Sequence, residues 1–154
     1  MPTAEERIKA IGIELPPPPS AVGNYVTWVR TGNLVFLSGM LPFDQGKILR
    51  QGRVGRDLSP EEAKADARTA ALNALAVLRN AIGSLDNVSR CIKITGFVAS
   101  ADEFTGQPGV INGASDLMAE VFGEAGKHAR AAIGVNVLPL NSPLEIEFIF
   151  EVKP

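Results

Sequence analysis

The run Lys127-His128-Ala129-Arg130-Ala131-Ala132 sets one arginine among small residues, just after Gly126. A guanidinium forms two parallel hydrogen bonds to a carboxylate, fixing its orientation as well as neutralising its charge. Small flanking side chains leave room for that ligand. The same arginine would also serve as a surface cation or an ordinary salt-bridge partner. Glu145 is the second candidate. It alternates with the apolar Leu144, Ile146 and Phe148, so it occupies the opposite face of its strand together with Glu147 and Glu151. A carboxyl there either sits in water or, with a suitable pKa and geometry, carries protons. Tyr25 offers a phenol that can cap a ligand or pack on the core edge. Ser38-Gly39 can present backbone groups at close range, since glycine allows close approach. Asn112 can bond a ligand or cap a turn near its helix start.

Other chemistries find little support. The lone histidine, His128, has no partner at nucleophile or metal-ligand spacing, so neither a metal site nor a catalytic triad is expected. It would lie on the rim beside Arg130. A single cysteine, Cys91, rules out an internal disulfide and a cysteine zinc site, and fits a small buried residue better than a nucleophile. No glycine-rich phosphate loop occurs. No cofactor is expected. The formal net charge is −2, and lysines and arginines are scattered rather than striped. Nucleic-acid binding neutralises phosphates with clustered cations, so no nucleic-acid partner is expected. Seven Phe, one Tyr and one Trp leave little for base stacking. The charged N-terminal stretch lacks a signal-peptide core and no apolar run approaches the ~20 residues of a bilayer span, giving a cytoplasmic expectation with no membrane partner.

The elements that must position these residues can be read in turn. The 154 residues suit one domain, 1–154, with 45% apolar content typical of a packed core. Residues 1–19 form an N-terminal extension: a short charged helix near 3–11, then Pro16 to Pro19, a stiff polyproline spacer laid over the surface. Tyr25–Arg30 and Leu34–Gly39, joined by Thr31-Gly32-Asn33, predict a hairpin. One further short strand is expected between Gly46 and Gly55. Ser59-Pro60-Glu61-Glu62 is a helix start with N-cap, N1 proline and capping box. Ala63, Ala67, Ala71, Ala74, Leu78 and Ile82 then make one apolar stripe, stopped by Gly83. A strand is expected over 90–99 with Ile92 and Ile94 on one face, and a second helix from Pro108 to Gly123. Strands around Ile133–Val137 and from Leu144 onward close the chain. The predicted class is α+β: one mixed sheet with two helices on a single face. The uncovered face calls for a partner, most simply another copy. If the last two strands form a tight hairpin, Arg130 and Glu145 stand roughly six residues out of register, about 20 Å apart at 3.3 Å per residue. The pocket would then combine one chain's Arg130 with a neighbour's Glu145.

Several segments together resemble the RidA/YjgF family from about residue 20 onward. They are Ala21-Val22-Gly23-Asn24-Tyr25, Leu37-Ser38-Gly39, Asn112-Gly113, Ala129-Arg130, Leu138-Pro139 and Leu144-Glu145-Ile146-Glu147. Gly-Glu-Ala-Gly-Lys-His-Ala-Arg and the preceding prolines resemble a longer subgroup of it. The resemblance implies a chorismate-mutase-like fold, a homotrimer and ligand pockets between subunits. It implies cofactor-free hydrolysis of reactive 2-imino or enamine acids to 2-keto acids and ammonia. Other members are described as endoribonucleases of the L-PSP type or translation inhibitors. Carried over, Arg130 and Glu145 are catalytic, the first holding the substrate carboxylate and the second guiding water or a proton. Tyr25, Ser38, Gly39, Asn112 and Ala132 would bind substrate. Ala132 stands where many members have cysteine, which excludes thiol chemistry but keeps the backbone carbonyl. Met40 replaces a polar residue common after Ser-Gly. The alternative function is a non-catalytic module that binds or senses small carboxylate metabolites.

Overall fold

The computed structural model describes residues 1–154. The longest helix shows how local sequence makes its elements. Ser59 accepts a hydrogen bond from the Glu62 backbone while the Glu62 carboxylate accepts one from the Ser59 backbone. With Pro60 at the first position this starts α2 (Pro60–Ile82), and Gly83 ends it at φ 85°. Such a cap is worth about 1 kcal/mol. The alanine stripe of α2 is fully buried at Ala63, Ala67, Ala70, Ala71 and Ala74, so the helix lies low on the sheet. The second long helix, α3 (Gln107–Phe122), starts after Gly106 without a side-chain cap, carries Pro108 in its first turn and is stopped by Gly123. It crosses α2 closely at Gly113, where any β-carbon would overlap the Lys64 carbonyl oxygen.

Seven strands form two sheets: β1 (Trp28–Thr31), β2 (Leu34–Leu37), β3 (Phe43–Asp44), β4 (Lys47–Ile48), β5 (Val88–Ala99), β6 (Ala129–Val135) and β7 (Leu144–Val152). The main sheet runs β1-β2-β7-β5-β6. Both long helices pack on one face, where Phe148 and Phe150 of β7 lie stacked with centroids 5.9 Å apart. Ile8, Val35, Leu75, Leu78, Ile94, Ile111 and Leu117 complete that core. The other face carries Val29, Phe36, Phe97, Ile133 and Ile149, the residues that alternate with the buried set. Of these Val29, Phe36 and Ile133 are exposed.

Three expectations are corrected. The last two strands are not a hairpin: β5 lies between them, parallel to β6 and antiparallel to β7. Proximity in sequence suggested pairing, but the long apolar β5 buries both its edges better than a hairpin would. On β5, register shifts around Arg90 and Ile92 change the parity, so Cys91 and Ile94 both face the core while Ile92 is half-buried. A β-bulge adds one residue and reverses the alternation. The short strand looked for between Gly46 and Gly55 is a complete hairpin starting earlier, at Phe43. It turns through Gln45 and Gly46, both at positive φ (51° and 78°), as a two-residue type I′ loop requires.

The N-terminal stretch is docked on the body, with the prolines laid over its surface. Helix α1 (Ala4–Ala10) buries Ile8, and Ile13 and Leu15 pack against the core. Glu5 accepts two hydrogen bonds from Arg79 (3.1 and 2.6 Å) and one from the Leu85 backbone (2.9 Å). The Glu5 backbone in turn donates to Asp86. Pro16 and Pro18 then lie beside Ala76, Arg79 and Asn80 of α2. No helix is long and apolar enough to cross a membrane.

Candidate functional site

The predicted site residues fall into two groups on opposite faces of the sheet. Glu145 is the second residue of β7 and shares the uncovered face with Phe97, its cross-strand partner. Past the end of β2, Met40 resumes pairing with β7, exchanging hydrogen bonds with Ile146 in both directions (2.8 and 3.0 Å). Ser38 and Gly39 span the gap. The Glu145 side chain lies over Gly39 so closely that a β-carbon there would sit 2.8 Å from its Cδ. Ser38 donates from Oγ to the Val26 carbonyl (2.6 Å), and Tyr25 accepts at its hydroxyl from the Val22 N–H (3.3 Å). Tyr25, Ser38, Gly39 and Glu145 thus line one cavity of about 620 Å³. Burial pushes the Glu145 carboxyl above the usual carboxylate range, and the neighbouring Glu147 charge adds to the rise. The shift favours the protonated carboxyl relative to an exposed glutamate.

Arg130 is the second residue of β6, at the sheet edge on the helix-covered side. Its Nη1 donates to Asn112 Oδ1 (2.7 Å) and Ser115 Oγ (3.1 Å), both on α3. No carboxylate lies within ion-pair distance of it. The remaining guanidinium donors, Nε and Nη2, have no partner within the chain. Ser115 also bonds His128 Nε2 (2.9 Å), and His128 Nδ1 meets the Gly126 carbonyl oxygen (2.7 Å). A carbonyl only accepts, so Nδ1 carries the hydrogen and, in the neutral ring, Nε2 accepts from the serine. Ser115 is then free to accept from Arg130. This chain holds the guanidinium at the mouth of a second cavity of about 310 Å³ lined by Ser115, Gly126, Lys127, His128 and Arg130. Ala132, on the same face as Arg130, is half-buried against the core beside Gly96.

Arg130 and Glu145 do not converge within one chain. Arg130 pairs with Ile94 and Glu145 with Phe97, on either side of β5. They are separated by roughly 10 Å along the strands and roughly 10 Å across them, and they point to opposite faces. A separation was expected, but from a hairpin and at about 20 Å; the intervening strand sets it at roughly 14 Å. Ser115 went unread in the sequence, yet it lies three residues after Asn112 on the same helix face, a spacing that signals it. Also unread were the apolar liners of the larger cavity: Pro19, Val22, Leu41, Phe43, Pro139 and Leu140. Leu140 is held at φ 59° and ψ 19°, a left-handed conformation costing a branched residue about 1–2 kcal/mol. Gln51 Nε2 donates to its carbonyl (2.7 Å) and the Gly52 N–H donates to that of Asn141 (2.9 Å), fixing the turn. No group of three or more His, Cys, Asp or Glu side chains is gathered as a metal site would need.

The family model described as "YjgF/chorismate_mutase-like, putative endoribonuclease" matches residues 5–152. Protein TCP17 of Trypanosoma cruzi is 39% identical over 147 residues, which are 95% of this chain and 92% of that protein. Among solved structures, protein Atu1372 of Agrobacterium tumefaciens is 46% identical with a TM-score of 0.90, over 97% of this chain and 92% of that one. Escherichia coli TdcF, solved with bound serine, is 27% identical with a TM-score of 0.66, over 89% and 94% of the two chains.

Proposed function

Because the chain belongs to the YjgF/chorismate-mutase-like family, we propose that it hydrolyses reactive 2-imino and enamine acids to 2-keto acids and ammonia, without a cofactor. The observation that carries this reading is Arg130: a guanidinium with no carboxylate partner in the chain, held through Nη1 by Asn112 and Ser115, with Nε and Nη2 left for a ligand. Such a guanidinium suits a substrate carboxylate. The proton carrier is Glu145, whose raised pKa and close seat over Gly39 suit donation to an imine nitrogen. Water adds to C2 of the protonated C=N while the Glu145 carboxylate takes the water's proton. Glu145 passes it to nitrogen, the C2–N bond breaks to release ammonia, and the hydroxyl proton returns to Glu145 as the C=O forms.

The two groups work together only across a subunit boundary. An edge carrying Arg130 set against a neighbour's uncovered sheet face carrying Glu145 is a head-to-tail contact, which makes a ring where the rotation closes. We assign a homotrimer with three such pockets. The exposed Val29, Phe36 and Ile133 give that face the apolar surface an interface buries. E. coli TdcF, crystallised with serine, supports a small amino-acid-like ligand here. The net charge of −2 argues against RNA as the substrate.

The test generates imino acids in situ with an amino-acid oxidase and follows keto acid and ammonia. Wild type should accelerate hydrolysis, and Arg130→Ala should lose on the order of a hundredfold or more, the scale expected when a bidentate clamp that orients the substrate is removed. No acceleration across several side-chain types would overturn the reading. Arg130-dependent keto-acid binding without turnover would instead make the protein a metabolite sensor.

A further inference from the structure

We propose that the Pro19–Tyr25 segment and the Pro139–Asn141 turn form a fixed apolar wall that selects substrates with bulky apolar side chains. This rests on the site assignment above and extends it to substrate class. The cavity that one chain contributes around Glu145 holds about 620 Å³ before the neighbour's Arg130 edge is set against it. Its polar side chains are those of Ser20, Thr27, Ser38, Glu145 and the Tyr25 hydroxyl. The rest is Gly39 with Pro19, Val22, Met40, Leu41, Phe43, Pro139 and Leu140, so this chain's wall brings no cation and no second carboxylate. A charged or strongly polar side chain would lose its hydration there without compensation. A branched aliphatic or aromatic one gains contact.

Two observations show that the wall is built rather than incidental. The N-terminal segment reaches the cavity from a firm anchor. Glu5 is clamped by Arg79 and Leu85, Ile8 is in the core, and four consecutive prolines then carry the chain on a stiff path to Pro19, Ser20 and Val22. Val22 and Leu140 are 83% and 58% exposed in the chain. Leu140 is also held in a left-handed conformation by the hydrogen bonds from Gln51 and Gly52 to this turn. Strain of this kind persists where surrounding structure enforces it and clusters at ligand clamps. A glycine or asparagine would suit that backbone better, so the leucine is there for its side chain.

The test compares kcat/KM for imino acids derived from alanine, glutamate, leucine and phenylalanine, in wild type, Val22→Ser and Leu140→Gly. One methylene in an apolar pocket changes kcat/KM by about tenfold or more. The leucine- and phenylalanine-derived substrates should therefore exceed the other two by at least about tenfold. Each variant should cut that preference several-fold, slowing the leucine- and phenylalanine-derived substrates more than the alanine-derived one. Leu140→Gly should melt no lower than wild type, since glycine accepts the turn, which separates lost selectivity from lost folding. Equal rates for all side chains, or variants that slow every substrate alike, would overturn the proposal. If no imino acid is turned over, equilibrium binding of 4-methyl-2-oxopentanoate against pyruvate decides it alone. Tighter binding of the former, weakened in Val22→Ser, sustains the wall, while no preference overturns it.

Discussion

Gly39→Ala is a single methyl aimed at one carboxyl group. Gly39 does not use a positive φ, so the alanine backbone is unstrained and the cost falls on what the new β-carbon meets. It would stand 2.8 Å from Glu145 Cδ, 3.0 Å from Cγ and 3.2 Å from Oε1, where ordinary contact begins at 3.4 Å. The carboxyl must therefore retreat by at least about 0.6 Å at Cδ. Its atoms end a flexible side chain, so the retreat means leaving a favoured rotamer, about 0.5–1.5 kcal/mol. In a domain of this size that lowers the melting temperature by roughly 1–6 °C. Catalysis is less forgiving: misplacing a reacting group by about 1 Å costs about a hundredfold. We expect kcat to fall tenfold to a hundredfold with the protein still folded. A carboxyl swung out of its niche would also lose the burial that raises its pKa, so the alkaline limb of the pH profile should move toward acid. Adding Glu145→Ala should restore the melting temperature and abolish further loss from Gly39→Ala, since the steric partner is gone. The reasoning fails if Gly39→Ala stays within twofold of wild type, or if the double variant is as destabilised as the single one.

The buried Asp66–Arg50 pair gives a pH-dependent stability. Burial lifts Asp66 to about 6, Glu62 adds to the lift, and Arg50 at 3.4 Å offsets only part of it. The folded state thus binds the proton more tightly than the unfolded chain, so stability is greatest below the unfolded value of 3.8 and declines as pH rises through about 6. Asp66→Asn should remove that slope and stabilise the protein at pH 8 by up to about 3 kcal/mol; unchanged melting temperatures at pH 5 and 8 would refute this. Cys91, fully buried and with its thiol pushed up to about 12, should resist alkylation at pH 8 until the protein unfolds, and rapid labelling of the native protein would contradict it.

What the sequence revealed was local. Ser59, Pro60 and Glu62 form a cap whose parts lie within four residues, and β7 carries its own alternation from Leu144 to Val152. Arg130 and Glu145 were legible as chemistry because their neighbours leave room or show a face. The failures were of range. Nothing near Ala129 or Leu144 indicates that β5 will lie between them, because strand order depends on which edges bury best. Glu5 and Arg79 are 74 residues apart, so the docking of α1 left no periodic trace. The division of the candidates into two cavities came from the sheet's two faces, and parity alone cannot assign faces once a bulge near Ile92 has shifted it. Leu140 was missed for a different reason, since a leucine in a left-handed turn contradicts local propensity and only Gln51 and Gly52 explain it.

The position of β7 bears on how the chain is made. It is the last strand in sequence, yet it occupies the middle of the sheet, between β2 and β5. During synthesis the β1–β2 hairpin and the β5–β6 pair emerge as two separate pieces with facing open edges. Neither can close on the other until Leu144–Val152 leaves the ribosome and slots in, bringing Phe148 and Phe150 to the helices. Nascent chains stalled just before β7 should therefore be aggregation-prone, with two unpaired strand edges exposed at once. Folding is thus gated by the final stretch of the sheet, the same stretch that delivers Glu145.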